Sequence, residues 1–398
     1  VKALPYIAAA ALYLAVVSWA TVRATALDYA AYLIGAYGFV SGQPVYQWGP
    51  EDFQTVARHL NIPLFAYPYR YSPITALLIS PLLAFPYRVG LFLWSLINAA
   101  ASMAAGELLS RLSSSPLRQW IIRSAVWLFV PFFVSLYAGQ VNPLVTLIGA
   151  LAVFAISKGR DYRAGLWAAM AFLIKPTAIG LICYPMWKGR WKTAILFAVI
   201  TALLLSLTTW LFGWGSLNSG VPLSAAGIHI GAYPPLQNFW GTAQRWFTPH
   251  EYGWSVAWDT VSAGRMGFLL SLGLAVATIL FCLPPFRTAS WRDADWGMSL
   301  IAIALVVPPT WYHHYALLAI PLAILIAEAE SLPDAALAFA AWLAINTFGV
   351  AWHFLIGHTL LLDVGVLGAL ILWFGLARIS WRGRKAPSRT NLNRGWSG

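Results

Sequence analysis

Charge is what this sequence has least of. Only 10% of its 398 residues are Asp, Glu, Lys or Arg, whereas a soluble domain carries about a quarter. With 60% of the chain hydrophobic, that shortage excludes a soluble globular domain and points to a polytopic membrane protein. Cysteine is nearly absent too. Cys183 and Cys282 both lie in apolar stretches, which argues against a disulfide framework or a cysteine-ligated metal. Acidic residues are outnumbered, 13 against 25 basic ones, and the resulting net charge of +12 reports cytoplasmic loops more often than nucleic-acid binding in a membrane chain. Several signatures are missing: a Walker loop, a G-x-G-x-x-G turn, a G-x-S-x-G elbow and an H-E-x-x-H helix. ATP-driven transport and zinc proteolysis therefore lack support. After Lys2 the chain enters a full-length apolar run with no clear cleavage site, so no cleaved signal is expected.

What the chain has in abundance is apolar runs. They lie at about 4–22, 89–109, 120–137, 143–157, 164–174, 177–187, 192–212, 266–284, 296–308, 312–327, 333–351 and 359–377. This pattern predicts an all-α polytopic membrane protein with about twelve transmembrane helices, in a single domain over 1–377. A first loop (23–86) and a second (213–265) break the pattern, and 378–398 reads as a disordered basic tail. The positive-inside rule then orients the chain. With both termini cytoplasmic, 18 of the 25 Lys and Arg fall on the inner side, six of them in the tail. All seven histidines, Asp28, Glu51, Asp52, Glu251 and Asp259 then fall at or near the outer face, as do both long loops. The chemistry is expected to face outward.

The first loop opens with Asp28, just past the first apolar run. Behind it Tyr29, Tyr32, Leu33, Ala36, Tyr37 and Val40 recur at helical spacing until Ser41-Gly42-Gln43-Pro44. That pattern predicts an amphipathic helix lying along the membrane surface, with a carboxylate at its N-terminus. Asp28 reads either as an N-cap or as an outward general base. Glu51 to Leu60 forms a second amphipathic segment. The run 74–85, too short for a span, predicts a helix that dips into the outer leaflet.

Other polar groups stand out against the apolar background. Lys175 sits between two half-length runs at Lys175-Pro176, where a lysine is costly unless paired or facing a polar cavity. His313 and His314 end a Pro-Pro-Thr-Trp-Tyr segment. Adjacent histidines share no helix face, so hydrogen bonding to an anion or sugar fits them better than zinc. Arg70 could grip a phosphate through a bidentate pair, although Arg88 repeats its Pro-Tyr-Arg context. Gly139-Gln140-Val141-Asn142 occupies a short loop, and Gln237-Asn238 lies in the long one. Outward aromatics such as Trp48, Trp240 and Trp311 suit sugar stacking, a prenyl groove or an interface belt.

Taken in order, these residues resemble a known pattern. It comprises an Asp after the first span, an aromatic helix, a Tyr-x-x-Ser-Pro entry and Gly-Gln-x-Asn, then Lys175-Pro176, Gln237-Asn238 and His313-His314. The chain is similar to the GT-C superfamily of membrane glycosyltransferases. Its nearest resemblance is to the polyprenyl-phosphate-mannose-dependent branch, glycosyltransferase family 87. The resemblance implies a GT-C fold with outer-face juxtamembrane helices in the plasma membrane. It also implies an inverting transfer of a sugar, mannose in the first instance, from a polyprenyl-phosphate donor to a glycolipid or glycan acceptor. Asp28 matches the family's catalytic base. Arg70, Lys175, His313 and His314 become candidates for the donor phosphate, and Tyr32, Gln140, Asn142, Gln237 and Asn238 for the substrates. Superfamily relatives that bind a divalent metal carry acids near Gln140 and Asn142, where this chain has amides, so no metal and no cofactor is expected. Two alternatives remain open: an arabinofuranosyltransferase of the same fold, and a lipid-linked-sugar flippase without chemistry.

Overall fold

The computed structural model describes residues 3–23, 26–63, 69, 71–213, 231–252, 260–282, 293–308 and 310–385. In chain order the first helices are α1 (Leu4–Arg23), α2 (Leu27–Val40), α3 (Pro50–His59), α4 (Pro73–Ile79), α5 (Tyr87–Ser110) and α6 (Pro116–Trp127). Then come α7 (Val130–Ala138), α8 (Asn142–Ser157), α9 (Asp161–Ile174), α10 (Gly180–Trp187), α11 (Trp191–Phe212) and α12 (Phe239–Phe247). The chain continues with α13 (Thr260–Cys282), α14 (Asp293–Val306), α15 (Ala319–Glu328), α16 (Leu332–Ala351) and α17 (Val364–Lys385).

Length corrects the expected count of twelve spans. Among the described residues, 7 helical stretches are long and apolar enough to cross a membrane: α1, α5, α6 with α7, α11, α13, α16 and α17. A hydrocarbon core asks for about 20 helical residues. The remaining apolar runs become helices of 16, 14, 8, 14 and 10 residues (α8, α9, α10, α14 and α15). Hydropathy marks where a run is apolar; Lys175-Pro176 and Pro308 decide where its helix stops. Lipid-facing residues remain on the long helices, as on α11, where only Thr193, Ala194 and Thr208 are buried.

Two further expectations change. The helix after Asp28 does not lie on a surface: 10 of its 14 residues are buried. Two glycines allow this. A Cβ on Gly35 would lie 2.3 Å from the Tyr69 ring, and one on Gly38 would lie 2.3 Å from Val45. The basic tail also begins later than 378, because α17 runs on to Lys385. Asp334 at the start of α16 accepts from Arg378 Nε at 3.1 Å and Arg382 Nη2 at 2.7 Å, which holds that last turn against the bundle.

The bundle has one end rich in ion pairs. Glu107–Arg123, Asp161–Arg190 and Asp334 with its two arginines gather there, and Arg118 donates to the Ala327 carbonyl. At the opposite end the chain turns between α1 and α2, between α7 and α8, between α9 and α10, and at Trp311–Tyr315. Arg88, at that end, donates to the exposed carbonyls of Thr21 and Val22 at the C-terminus of α1.

One contact fixes this end. Gly139 caps α7 in the left-handed region at φ 73°, and a Cβ there would meet the Cβ of Tyr29 at 2.5 Å and its backbone nitrogen at 3.1 Å. Gly139→Ala is therefore expected to cost about 1–2 kcal/mol for the backbone conformation alone, with the clash added. Thermal unfolding in lipid nanodiscs should show a lowered midpoint; a midpoint equal to that of the wild type would contradict this account.

Candidate active site

The site begins where α9 breaks. Its last carbonyls have lost their helical partners, and Pro176 prevents the helix from continuing. The Ser72–Thr75 turn replaces those partners: Ser72 Oγ donates to the Leu173 carbonyl and Thr75 Oγ1 to that of Ile174 at 3.1 Å. Ser72 also caps α4, accepting from the Thr75 backbone N–H. Docking this turn on the broken helix brings Tyr71 and Lys175 to the same place.

Lys175 is buried, at 5% exposure, and its ammonium donates to Gln140 Oε1 at 3.0 Å and Asn142 Oδ1 at 2.6 Å. Gln140 Oε1 also accepts from Tyr32 OH at 2.9 Å. Its Nε2 donates to the Tyr71 hydroxyl oxygen at 3.1 Å, and Tyr71 OH donates to Asp28 Oδ1 at 2.6 Å. The direction of this chain follows from chemistry. A lysine ammonium is donor only, so the atom of Gln140 facing it is the carbonyl oxygen. The amide NH2 then faces Tyr71, whose oxygen accepts and whose proton is left for Asp28. A chain of four side chains thus runs from cation to carboxylate in one sense, and it holds Asp28 as an acceptor.

Asp28 lies in the first turn of α2, at the favourable end of the helix dipole. It is not the cap: Ala26 is, in the left-handed region at φ 37°, with no side-chain cap hydrogen bond. Burial pushes the Asp28 carboxyl above its ordinary range, opposed by the Tyr71 hydrogen bond and the Lys175 charge.

The second amide of the Gly-Gln-x-Asn loop reaches the histidines. Asn142 Nδ2 donates to the His313 carbonyl at 2.9 Å and to Ser135 Oγ at 3.2 Å. The imidazoles of His313 and His314 stand edge to face with centroids 4.5 Å apart, half-buried and within electrostatic reach of Lys175. The backbone N–H of Trp311 donates to His314 Nδ1 at 3.3 Å, which assigns the proton of a neutral His314 to Nε2. Among the described residues, no three His, Cys, Asp or Glu side chains form a metal-ligand group.

Of the residues singled out from sequence, Asp28, Tyr32, Gln140, Asn142, Lys175, His313 and His314 converge. Arg70 lies outside the described residues. Gln237 and Asn238 are elsewhere and fully buried. Asn238 Nδ2 donates to the carbonyls of Pro308 and Thr310, while its Oδ1 caps α12 through Gly241. Gln237 Nε2 donates to the carbonyls of Pro234 and Leu362. Together with the bond from Tyr312 N to the Pro235 carbonyl at 2.6 Å, they position the turn that carries the histidines. Sequence reading missed Tyr71, the link between the carboxylate and the rest. Its signal was its place directly before the Ser-Pro cap, in a stretch crowded with other aromatics.

Gln140→Glu tests the polarity of the chain. The variant still satisfies Lys175 but offers no amide donor to Tyr71, and it adds a second carboxylate near Asp28. The Asp28 carboxyl should then protonate at higher pH than in the wild type, read from the infrared carboxylic-acid band of isotope-labelled protein. An unchanged titration would refute the assigned order of donors.

Comparison with known proteins bears on this arrangement. The model of glycosyltransferase family 87 matches residues 69–309, a stretch that holds Tyr71, Gln140, Asn142 and Lys175. Asp28 lies before it and the two histidines just after. An alpha-(1->3)-arabinofuranosyltransferase of Corynebacterium glutamicum is 26% identical over 184 residues, or 43% of this chain. The alignment spans 39% of that relative's length. With more than half of its length matched, the chain belongs to glycosyltransferase family 87.

Proposed function

We propose that the protein is an inverting glycosyltransferase that moves a sugar from a polyprenyl-phosphate donor to a hydroxyl of a glycolipid or glycan acceptor. The observation that carries this reading is the directed chain Lys175–Gln140–Tyr71–Asp28, which holds one partly buried carboxylate as a hydrogen-bond acceptor at the end of the bundle. In the reaction the acceptor oxygen attacks the anomeric carbon from the face opposite the phosphate. Its O–H proton passes to the Asp28 carboxylate as the new C–O bond forms. The old anomeric C–O bond breaks and its electron pair leaves with the polyprenyl phosphate. A phosphate is a good leaving group, so the site needs positive charge and N–H donors more than an acid. Lys175, His313 and His314 supply them. Tyr32 sits behind Gln140 and steadies it rather than contacting substrate.

Lys175 also supports metal independence. Its ammonium occupies the place between Gln140 and Asn142 where a divalent cation would need carboxylates, and the two amide oxygens are already committed to it. Orientation follows the positive-inside rule, with the ion-paired end cytoplasmic and the site at the outer face of the plasma membrane. The family resemblance implies mannose as the transferred sugar, whereas the relative's name favours arabinofuranose, so both donors belong in the assay.

The test is transfer by purified protein in nanodiscs, using polyprenyl-phosphate-mannose and polyprenyl-phosphate-arabinofuranose with a mixed acceptor pool. Asp28→Asn should lose roughly a hundredfold or more of the rate while still binding donor. Equal rates would remove Asp28 as the base. No transfer of either sugar by the wild type would favour the flippase reading. The pH profile adds a sign. Only ionised Asp28 accepts the proton, and its carboxyl is raised, so the rate should fall with acidification through a point above the ordinary carboxylate value of about 4. Chelation by EDTA should leave the wild-type rate unchanged; its abolition would sink the metal-independent reading.

A further inference from the structure

Beyond the histidines, the same end of the bundle carries a group of partly exposed aromatic rings that the transfer chemistry leaves unused. Trp311 stacks on His313 with centroids 6.1 Å apart and planes 18° apart, so the group starts at the catalytic network itself. Tyr233 stands edge-on to Trp311 at 5.5 Å and to Trp352 at 6.2 Å. Tyr252 meets Tyr233 at 5.7 Å, and His353 lies against Trp352 at 3.5 Å. Among the described residues Tyr233 and Trp311 keep 36% and 37% of their surface exposed.

The scaffold beneath these rings is rigid. Arg245 is fully buried, paired with Asp363, and its Nη1 donates to the carbonyls of Tyr233 at 3.2 Å and Leu236 at 3.1 Å. Trp246 Nε1 donates to the other oxygen of Asp363 at 2.8 Å. His250 Nε2 bonds the Arg245 carbonyl, and the Gly357 N–H bonds that of Tyr252 at 2.8 Å, so the loop carrying Tyr233 and Tyr252 is clamped to the segment carrying Trp352. A buried ion pair of this kind is costly unless its geometry is held. Here it holds the rings in a fixed arrangement.

The composition of the rings narrows the ligand. A prenyl chain packs best against aliphatic side chains. This group instead mixes indole and phenol faces with two imidazoles, His313 and His353, whose edges carry hydrogen-bonding nitrogens. Sugars have that character: one face of C–H groups, slightly positive and attracted to the negative face of an aromatic ring, and a rim of hydroxyls. Tyr233 stands between two indoles, 5.5 Å from Trp311 and 6.2 Å from Trp352, so the group offers more than one stacking face.

We infer that Trp311, Tyr233 and Trp352 form an extended acceptor subsite for a carbohydrate chain of two or more sugars, continuous with the transfer site. The inference rests on the glycosyltransferase reading for its purpose, but its test does not. In the test, mannose and arabinofuranose oligosaccharides of one to six units are titrated against the full chain in nanodiscs, with binding read by tryptophan fluorescence and by calorimetry. Affinity should rise with chain length, and Trp352→Ala should remove the rise, weakening the longest ligand roughly tenfold. Trp352→Phe should restore most of it. A parallel titration with a polyprenyl phosphate identifies a lipid groove. Should Trp352→Ala weaken the lipid and leave the oligosaccharides unchanged, the subsite is overturned. Absence of any length dependence in the wild type would overturn it as well. Length-dependent binding without sugar transfer would keep the subsite and remove the enzymatic reading, so the two failures are distinguishable. A melting midpoint for Trp352→Ala close to the wild type excludes misfolding as the cause.

Discussion

A lysine ammonium taken out of water has to be surrounded by acceptors, and the arrangement at Lys175 is built to meet that demand. Its hydrogens go to the oxygens of Gln140 and Asn142. Those bonds turn both amides the same way, with their NH2 groups pointing outward. One NH2 then sets the hydroxyl of Tyr71, and the other holds the His313 carbonyl. The orientation of groups in the 140–142 loop, at Tyr71 and at the His313 turn is thus dictated by a single donor that cannot accept. A charged residue in such a position is retained for what it organises, since two bonds to neutral amides do not by themselves repay its desolvation.

The broken helix is the structural counterpart of that charge. Continuous helices satisfy their own backbone; an interrupted one must borrow partners. Here Ser72 and Thr75 lend them to Leu173 and Ile174. The consequence is that a segment a hundred residues upstream is delivered to the site by backbone chemistry, with Tyr71 as its leading side chain. The α2 part of the first loop is likewise interior, with 10 of its 14 residues buried.

Much of the site was legible because polar residues are conspicuous in an apolar sequence. Asp28, Gln140, Asn142, Lys175, His313 and His314 each stood out on that ground, and they converge. Tyr71 did not, because a tyrosine among tyrosines carries no contrast and its importance comes from one hydroxyl proton. Gln237 and Asn238 were as conspicuous as the others, yet their side chains are spent on backbone carbonyls and a helix cap. Contrast identifies a residue that needs partners; it does not say whether those partners are substrate or main chain. The helical class was equally plain from composition, while the number of full crossings was not. Hydropathy registers apolar length along the chain, but helix ends depend on proline, on isolated charges and on which carbonyls find donors.

The short helices have a consequence for where the chemistry occurs. From Asn142 at the site to Ser157 at the opposite end, α8 has 16 residues. At 1.5 Å per residue that is a rise of ~24 Å, while the hydrocarbon core measures about 30 Å. With the far end of α8 level with the ion-paired surface, Asn142 stops several ångströms short of the opposite headgroup plane. A thicker bilayer widens that gap and a thinner one narrows it, so membrane thickness sets how far this polar cluster lies from water.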